Sequence, residues 1–353
     1  MSQSLHRRRL IVAAGLPALL GPLAAWAFQH PIDEPALASA LAPRSPMLAV
    51  ALAGSRLVAA GARGHIVLSD DDGANWQQAK VPVSIDLTGL SFPSAQSGWA
   101  VGQGGVVLRS EDGGGTWSRV MAGQQASKIA VDYYRACGAE PDCAAALKEA
   151  QAVLEMAFQP FLDVYFESDA RGFIVGTFNR IFATNDGGKS WTPWSHAVPN
   201  PSGLNFYAVR GHGGRLFLAG EQGQVWRRRG DESRFSAVPT PFKGTLFGLI
   251  VGRDTVVFAF GMRGAMYRSE DDGATWSQID LHTVAGITGG AMLDDGRVVV
   301  VDQAGTLHIS DSGGRTFAAK RLSQPMPYSA VAAGRGNSVV LAGASGVQTS
   351  ALL

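Results

Sequence analysis

The chain has 353 residues, and its 30 lysines and arginines almost balance 29 aspartates and glutamates, for a formal charge of +1. A phosphate-backbone binder carries a clear basic excess, so this balance argues against a nucleic-acid partner. The 44 glycines and eight tryptophans suit an all-β chain with many turns.

In chain order, residues 1–27 read as a targeting segment. Arg7, Arg8 and Arg9 precede an apolar stretch from Leu10 to Leu23, broken by Gly15, Pro17, Gly21 and Pro22. Ala25-Trp26-Ala27 then supplies the small-x-small pattern of a signal peptidase site, with cleavage expected before Phe28. The run is too short and too broken to span a bilayer comfortably. The rest holds no second apolar run of that length, so the mature chain is expected to be exported and not membrane-spanning.

From residue 28 onward a unit of about 41 residues recurs. A glycine (an aspartate in the sixth copy) begins a short apolar strand and turn at Gly61, Gly102, Gly176, Gly220, Gly261, Asp302 and, truncated, Gly343. Each unit reads as four short strands; in the second they are Asp86–Phe92, Gly98–Gly102, Val106–Ser110 and Thr116–Val120. One such sheet cannot bury both faces alone and needs neighbours around a ring. The expected fold is therefore all-β, a seven-bladed β-propeller occupying residues 28–353 as one domain. The last copy lacks a fourth strand, and Asp33–Ala42 is expected to supply it, since an open edge invites aggregation.

Between third and fourth strands lies the pattern Ser/Thr-x-Asp-x-Gly-x-Thr-Trp. It places Asp71 and Trp76, Asp112 and Trp117, Asp186 and Trp191, and Asp271 and Trp276 in equivalent positions. Ser312 and Phe317 replace Asp and Trp in the sixth copy, and the motif is absent around Arg228–Phe235. The aspartate is suited to bonding backbone N–H groups of its own turn, and the aromatic to packing between sheets. These turns lack the spacing and flanking helices of calcium loops, and the seven histidines are scattered. No metal and no cofactor are expected.

One repeat interval is longer than the others by about 33 residues, which places an insertion at about 124–158. Gln125–Ala136 and Cys143–Phe158 carry helical spacing. A helical hairpin is expected, its tip stapled by Cys137 and Cys143, which would pair in an oxidising compartment.

The repeated turn is the Asp-box, or BNR repeat. With Leu162-Asp163-Val164-Tyr165-Phe166, then Gly172-Phe173-Ile174-Val175-Gly176, then the box from Thr184 to Trp191, the chain resembles the photosystem II assembly/stability factor family of propellers. Leu87 to Phe92, Gly98-Trp99-Ala100-Val101-Gly102 and the box after Ser110 repeat the resemblance, which spans nearly the whole mature chain. It implies a non-enzymatic scaffold in the periplasm, or in the thylakoid lumen of a photosynthetic host. Its partner would be a protein, such as the exposed segment of a membrane protein. No catalytic residues are assigned. The alternative is a carbohydrate-active Asp-box propeller, but a sialidase needs an Arg-Ile-Pro motif that is absent, and Arg180-Ile181-Phe182 is explained by the repeat.

In a propeller the second-to-third strand turns share one face with the inter-blade connections and with the insertion. Loops on a rigid scaffold commonly carry function. The candidate partner-binding residues are therefore Arg63, Gln103, Asn179, Gln222, Arg263 and Gln303, one from each of six blades. Tyr133, Tyr134 and Arg135 on the hairpin join them as residue types favoured at interfaces. Arg227, Arg228 and Arg229 read as a solvated basic patch on the opposite face.

Overall fold

The computed structural model describes residues 30–137, 141–156 and 158–352 as seven antiparallel sheets, six of four strands and one of three. Each sheet uses consecutive strands, so each blade is one uninterrupted piece of chain. Blade two comprises Leu87–Ser91, Gly98–Gly102, Val107–Ser110 and Ser118–Met121, within two residues of the sequence expectation. The seven-bladed propeller read from the repeats is the observed fold. The targeting segment lies outside the described residues.

The second strands show why the repeat is written as it is. Gly98–Gly102, Gly172–Gly176, Val257–Gly261 and Val298–Asp302 are buried at every position. Neighbouring blades cover both of their faces, so they read as continuous apolar runs rather than alternating ones. The first strands line the central channel, and Thr88 Oγ1 reaches across to Phe161 O at 2.9 Å while Thr288 Oγ1 reaches Tyr328 O at 2.7 Å.

The Asp-boxes hold their own turns. Asp71 accepts from Asn75 N at 2.8 Å and Asn75 Nδ2 at 2.7 Å, and Ser69 Oγ accepts from Gly73 N at 2.8 Å. The same set recurs at Asp112, Asp186 and Asp271. In blade six Ser312 Oγ keeps the bond to Thr316 N at 3.0 Å without a carboxylate. Hydrogen bonds from the side chain and then the backbone of the residue four positions on hold Asp71, Asp186 and Asp271 down at about 2, from an ordinary 3.8. A depressed carboxylate stabilises the fold above its unfolded value and loses that contribution as pH falls through its folded value. The melting temperature is expected to hold down to about pH 4 and to fall between pH 4 and 2. The triple variant Asp71→Asn/Asp186→Asn/Asp271→Asn should fall less steeply over that window. An equally steep fall in the variant, followed by circular dichroism, would remove the boxes from the acid response.

Ring closure departs from the sequence expectation. Blade seven has Tyr328–Ala333, Ser338–Gly343 and Gly346–Ala351, and Asp33–Ala42 does not join them. That segment runs along blade one instead: Ser39 N donates to Gln78 Oε1 at 2.9 Å, Gln78 Nε2 to Leu37 O at 3.0 Å, and Ala36 N to Val81 O at 3.0 Å. Closure is by face packing, in which Met47, Ala59 and Val67 of blade one meet Ala342 and Val347 of blade seven. Backbone groups of Ala36, Leu37 and Ser39 find their partners on blade one, and Asp33 pairs with Arg119 of blade two at 2.7 Å, which accounts for the difference.

The insertion folds as α1 (Gln125–Ala136) and α2 (Pro141–Glu155). Ala126, Ala130, Val131 and Tyr134 of α1, with Cys143, Ala146 and Ala150 of α2, pack on Trp99, Met121 and Phe161. Those spacings put one stripe of each helix against blades two and three. Cys137 and Cys143 are disulfide-bonded across the tip with Cα atoms 6.1 Å apart, inside the usual span for a bridge. No helix among the described residues is long and apolar enough to cross a membrane.

Candidate functional site

The face carrying the hairpin is built from the turns between second and third strands. Ala62–Gly64, Glu221–Gly223 and Met262–Gly264 are single tight turns whose middle residues Arg63, Gln222 and Arg263 have φ of 56°, 55° and 58°. A glycine follows in each because the neighbouring connection comes so close. A Cβ on Gly264 would lie 2.1 Å from Thr283 O. The six rim residues are not equivalent, however. In blade two the left-handed middle position is Gly104, and Gln103 precedes it. In blade three Phe178 and Asn179 fill the two left-handed positions, so Asn179 stands where other blades have glycine.

Burial then separates the candidates. Arg63, Gln103, Gln222, Arg263 and Gln303 are exposed. Asn179 is buried, its amide bonded to Glu149 Oε2 at 3.2 Å and its oxygen accepting from Asn200 at 3.0 Å. Tyr134 is buried too: its hydroxyl lies 3.2 Å from His196 Nδ1, and burial pushes the phenol up to about 12 while lowering the His196 imidazole. Asn179 and Tyr134 thus bind the hairpin to the propeller and face no partner. Tyr133 and Arg135 remain exposed on α1, with Arg135 in an ion pair to Asp132.

The close approach at Gly264 shapes the most open part of this face. It draws the connection between blades five and six against the turn, so that Val284 projects at 89% exposure beside Met262 at 39%. Between them and blade six lies a groove of about 500 Å³, lined by Phe247, Met262, Arg263, Val284 and Gln303. Arg263 and Gln303 make no side-chain hydrogen bond or ion pair with described residues and so remain available. Apolar walls with a few uncommitted polar groups are the makings of a recognition groove. Sequence reasoning named Arg263 and Gln303 but missed Met262 and Val284, since no periodicity distinguishes an exposed apolar turn residue from a buried one.

The opposite face carries a correction. Arg227, Arg228 and Arg229 are not a solvated patch. Arg228 is buried over Trp194, its guanidinium carbon 4.9 Å from the ring centroid, and burial lowers its pKa. Arg229 and Arg215 both grip the Asp272 carboxylate, at 2.7 and 3.1 Å, and Arg227 donates to the Asp272 carbonyl at 2.7 Å. With no Asp-box in blade four, arginines from that blade satisfy the turn of blade five.

The channel offers little for acid–base chemistry. Asp163 is the one carboxylate among its described lining residues, and it is bound by Arg210 and by Val209 N at 2.9 Å. Most glycosidases place two carboxylates across the scissile bond, and sialidases use a tyrosine nucleophile instead.

Fold and repeated turns together define an Asp-box β-propeller, one rim of which carries the helical hairpin and the exposed turn residues. The family model for "Photosynthesis system II assembly factor YCF48" matches residues 49–134 and 143–324, and the chain belongs to that family. The gap in the match falls at the hairpin tip. The chain is 25% identical over 286 residues to the photosystem II assembly lipoprotein Ycf48 of Synechococcus sp. (strain CC9902), covering 76% of this chain and 72% of that one. It superposes on a structure described as YCF48 bound to D1 peptide with a TM-score of 0.65 at 15% identity, over 88% of this chain and 94% of the other. YCF48 from Cyanidioschyzon merolae gives 0.64 at 16% identity, over 90% and 97%.

Proposed function

We propose that this protein is a non-enzymatic, exported scaffold that binds an extended segment of a membrane protein during assembly, using the rim that carries the hairpin. The observation that carries the reading is the groove between blades five and six, where Met262 and Val284 are exposed beside the unpaired Arg263 and Gln303. Family membership supports a protein partner, and the related propeller described with a D1 peptide supports a peptide-like one. The committed state of Asp163 disfavours the carbohydrate-active alternative.

The test is capture of the partner from detergent-solubilised membranes of the host by tagged protein. Arg63→Ala with Arg263→Ala should lower recovery about tenfold, the loss of one or two charge-assisted contacts. Both residues sit in exposed turns, where truncation usually costs within about 0.5 kcal/mol of stability. The melting curve should therefore stay in place. Full recovery with the double variant would move the binding surface away from this rim.

A further inference from the structure

Six blades begin their rim turn at a glycine. A Cβ on Gly61, Gly102, Gly176, Gly220, Gly261 or Gly343 would lie 2.2 to 2.4 Å from a backbone oxygen of the connection entering the same blade. Blade six reverses the arrangement: Asp302 stands at the glycine position, and the connection facing it has Gly286 where no other blade has a glycine. A third change accompanies these two. His308 fills a third-strand position that is apolar or aromatic at Val67, Leu108, Phe182, Trp226 and Tyr267. Asp302 and His308 are partners, both buried, with His308 Nε2 3.0 Å from Asp302 Oδ2. A buried polar pair is a costly substitute for packed apolar groups, and the other blades form the same turn and strand without one.

The Asp302 carboxylate reaches both sides of the groove between blades five and six. Its Oδ1 accepts from Ala304 N at 3.0 Å and from Thr306 N at 2.8 Å, which closes the turn carrying Gln303. Its Oδ2 accepts from Thr283 Oγ1 at 3.4 Å, and the same hydroxyl accepts from Ala285 N at 3.1 Å, so Val284 stands between two tethered residues. Ala285 and Ala304 line the groove beside Val284 and Gln303. A Cβ on Gly286 would fall 2.9 Å from Gln303 Oε1 and 3.4 Å from the Phe247 ring, so the glycine lets Gln303 lie across the connection. On the reading that this groove takes the partner's segment, we propose that Asp302 is its positioning residue and that His308 holds Asp302 in place. Together they fix Val284 and Gln303 in the binding arrangement before the partner arrives. A wall set in advance spares part of the ordering cost of association, and apparent affinity falls with the fraction of molecules whose wall is out of place.

The probe is the membrane protein most enriched by the tagged, unaltered chain from detergent-solubilised host membranes, identified by its tryptic peptides and then purified. Asp302→Gly with His308→Val restores the residue types of the other blades, so this variant should melt within about 3 °C of the unaltered chain. Its Kd for the probe should nevertheless rise about tenfold, and the amides of Ala285, Ala304 and Thr306 should exchange faster in the free protein. His308→Gln, whose side-chain amide can donate the same bond, should keep the original Kd, while His308→Leu should lose affinity. Unchanged Kd or unchanged amide exchange in the double variant overturns the proposal, as do equal Kd values for His308→Gln and His308→Leu. If the double variant does not fold, the two His308 variants decide. Met262→Ser with Val284→Ser tests the groove by itself. An unchanged Kd there removes the groove and the positioning role together; a weakened Kd there, with the Asp302 and His308 variants unaffected, removes the positioning role alone.

Discussion

Trp99→Ala is expected to lower folding stability by about 3–5 kcal/mol, the range for deleting a large aromatic from a packed core. Trp99 belongs to the second strand of blade two and is fully buried. It stacks on Phe166 of blade three with centroids 4.2 Å apart, stands edge-on to Trp191 at 6.0 Å, and lies beneath Arg109 at 5.6 Å. The Asp-box of blade three is fitted directly against it: a Cβ on Gly188 would fall 2.2 Å from the indole ring. The alanine cavity would therefore open in the seam between two blades, bounded by a turn that cannot collapse into it without losing its box geometry. Trp99→Phe should cost much less, because the buried indole N–H has no partner and its removal strands nothing. Urea unfolding monitored by circular dichroism decides the matter; an alanine loss below about 1 kcal/mol would show that the seam repacks.

The second large effect should come from Asp272→Asn, at about 3 kcal/mol. The side chain is 4% exposed and lies between Arg215 and Arg229, which are 14% and 49% exposed. Asparagine tolerates the left-handed backbone that Asp272 adopts at φ 64°, so the substitution isolates the charge. It would leave the mostly buried Arg215 guanidinium, with the half-exposed Arg229 beside it, facing a neutral amide, the unfavourable half of a broken buried pair. Arg229→Ala should cost less than about 1 kcal/mol, since that partner is half in water and Arg215 remains. A smaller loss for Asp272→Asn than for Arg229→Ala would mean that the carboxylate is dispensable and the arginines hold the turn through its carbonyl.

The parts of the fold visible in the sequence are those dictated by local chemistry repeated many times. The fully buried second strands must be apolar throughout, and each box aspartate must cap its own turn, so both recur in register. The hairpin was legible from helical spacing in Gln125–Ala136 and from the two cysteines. What stayed hidden depends on which blade faces which. The missing fourth strand of blade seven invited a strand exchange, yet Asp33–Ala42 finds Gln78 and Val81 first. Three consecutive arginines look solvated until blade five brings Asp272 to them. On the rim, Asn179 and Tyr134 carry the residue types of an interface, and only the docking of α2 and His196 against them shows that both are spent within the molecule.

Because no strand is exchanged across the seam between blades seven and one among the described residues, each described sheet is encoded by a single continuous segment. In a propeller closed by a shared sheet, one module is split between the two ends of the gene, and recombination there yields two half-sheets. Here a crossover at an inter-blade connection would transfer a whole sheet with its rim turn and, in the blades that carry one, its Asp-box. A lineage could then exchange the rim loops of one sector, such as those around the Met262–Gln303 groove, while inheriting the rest of the ring unchanged.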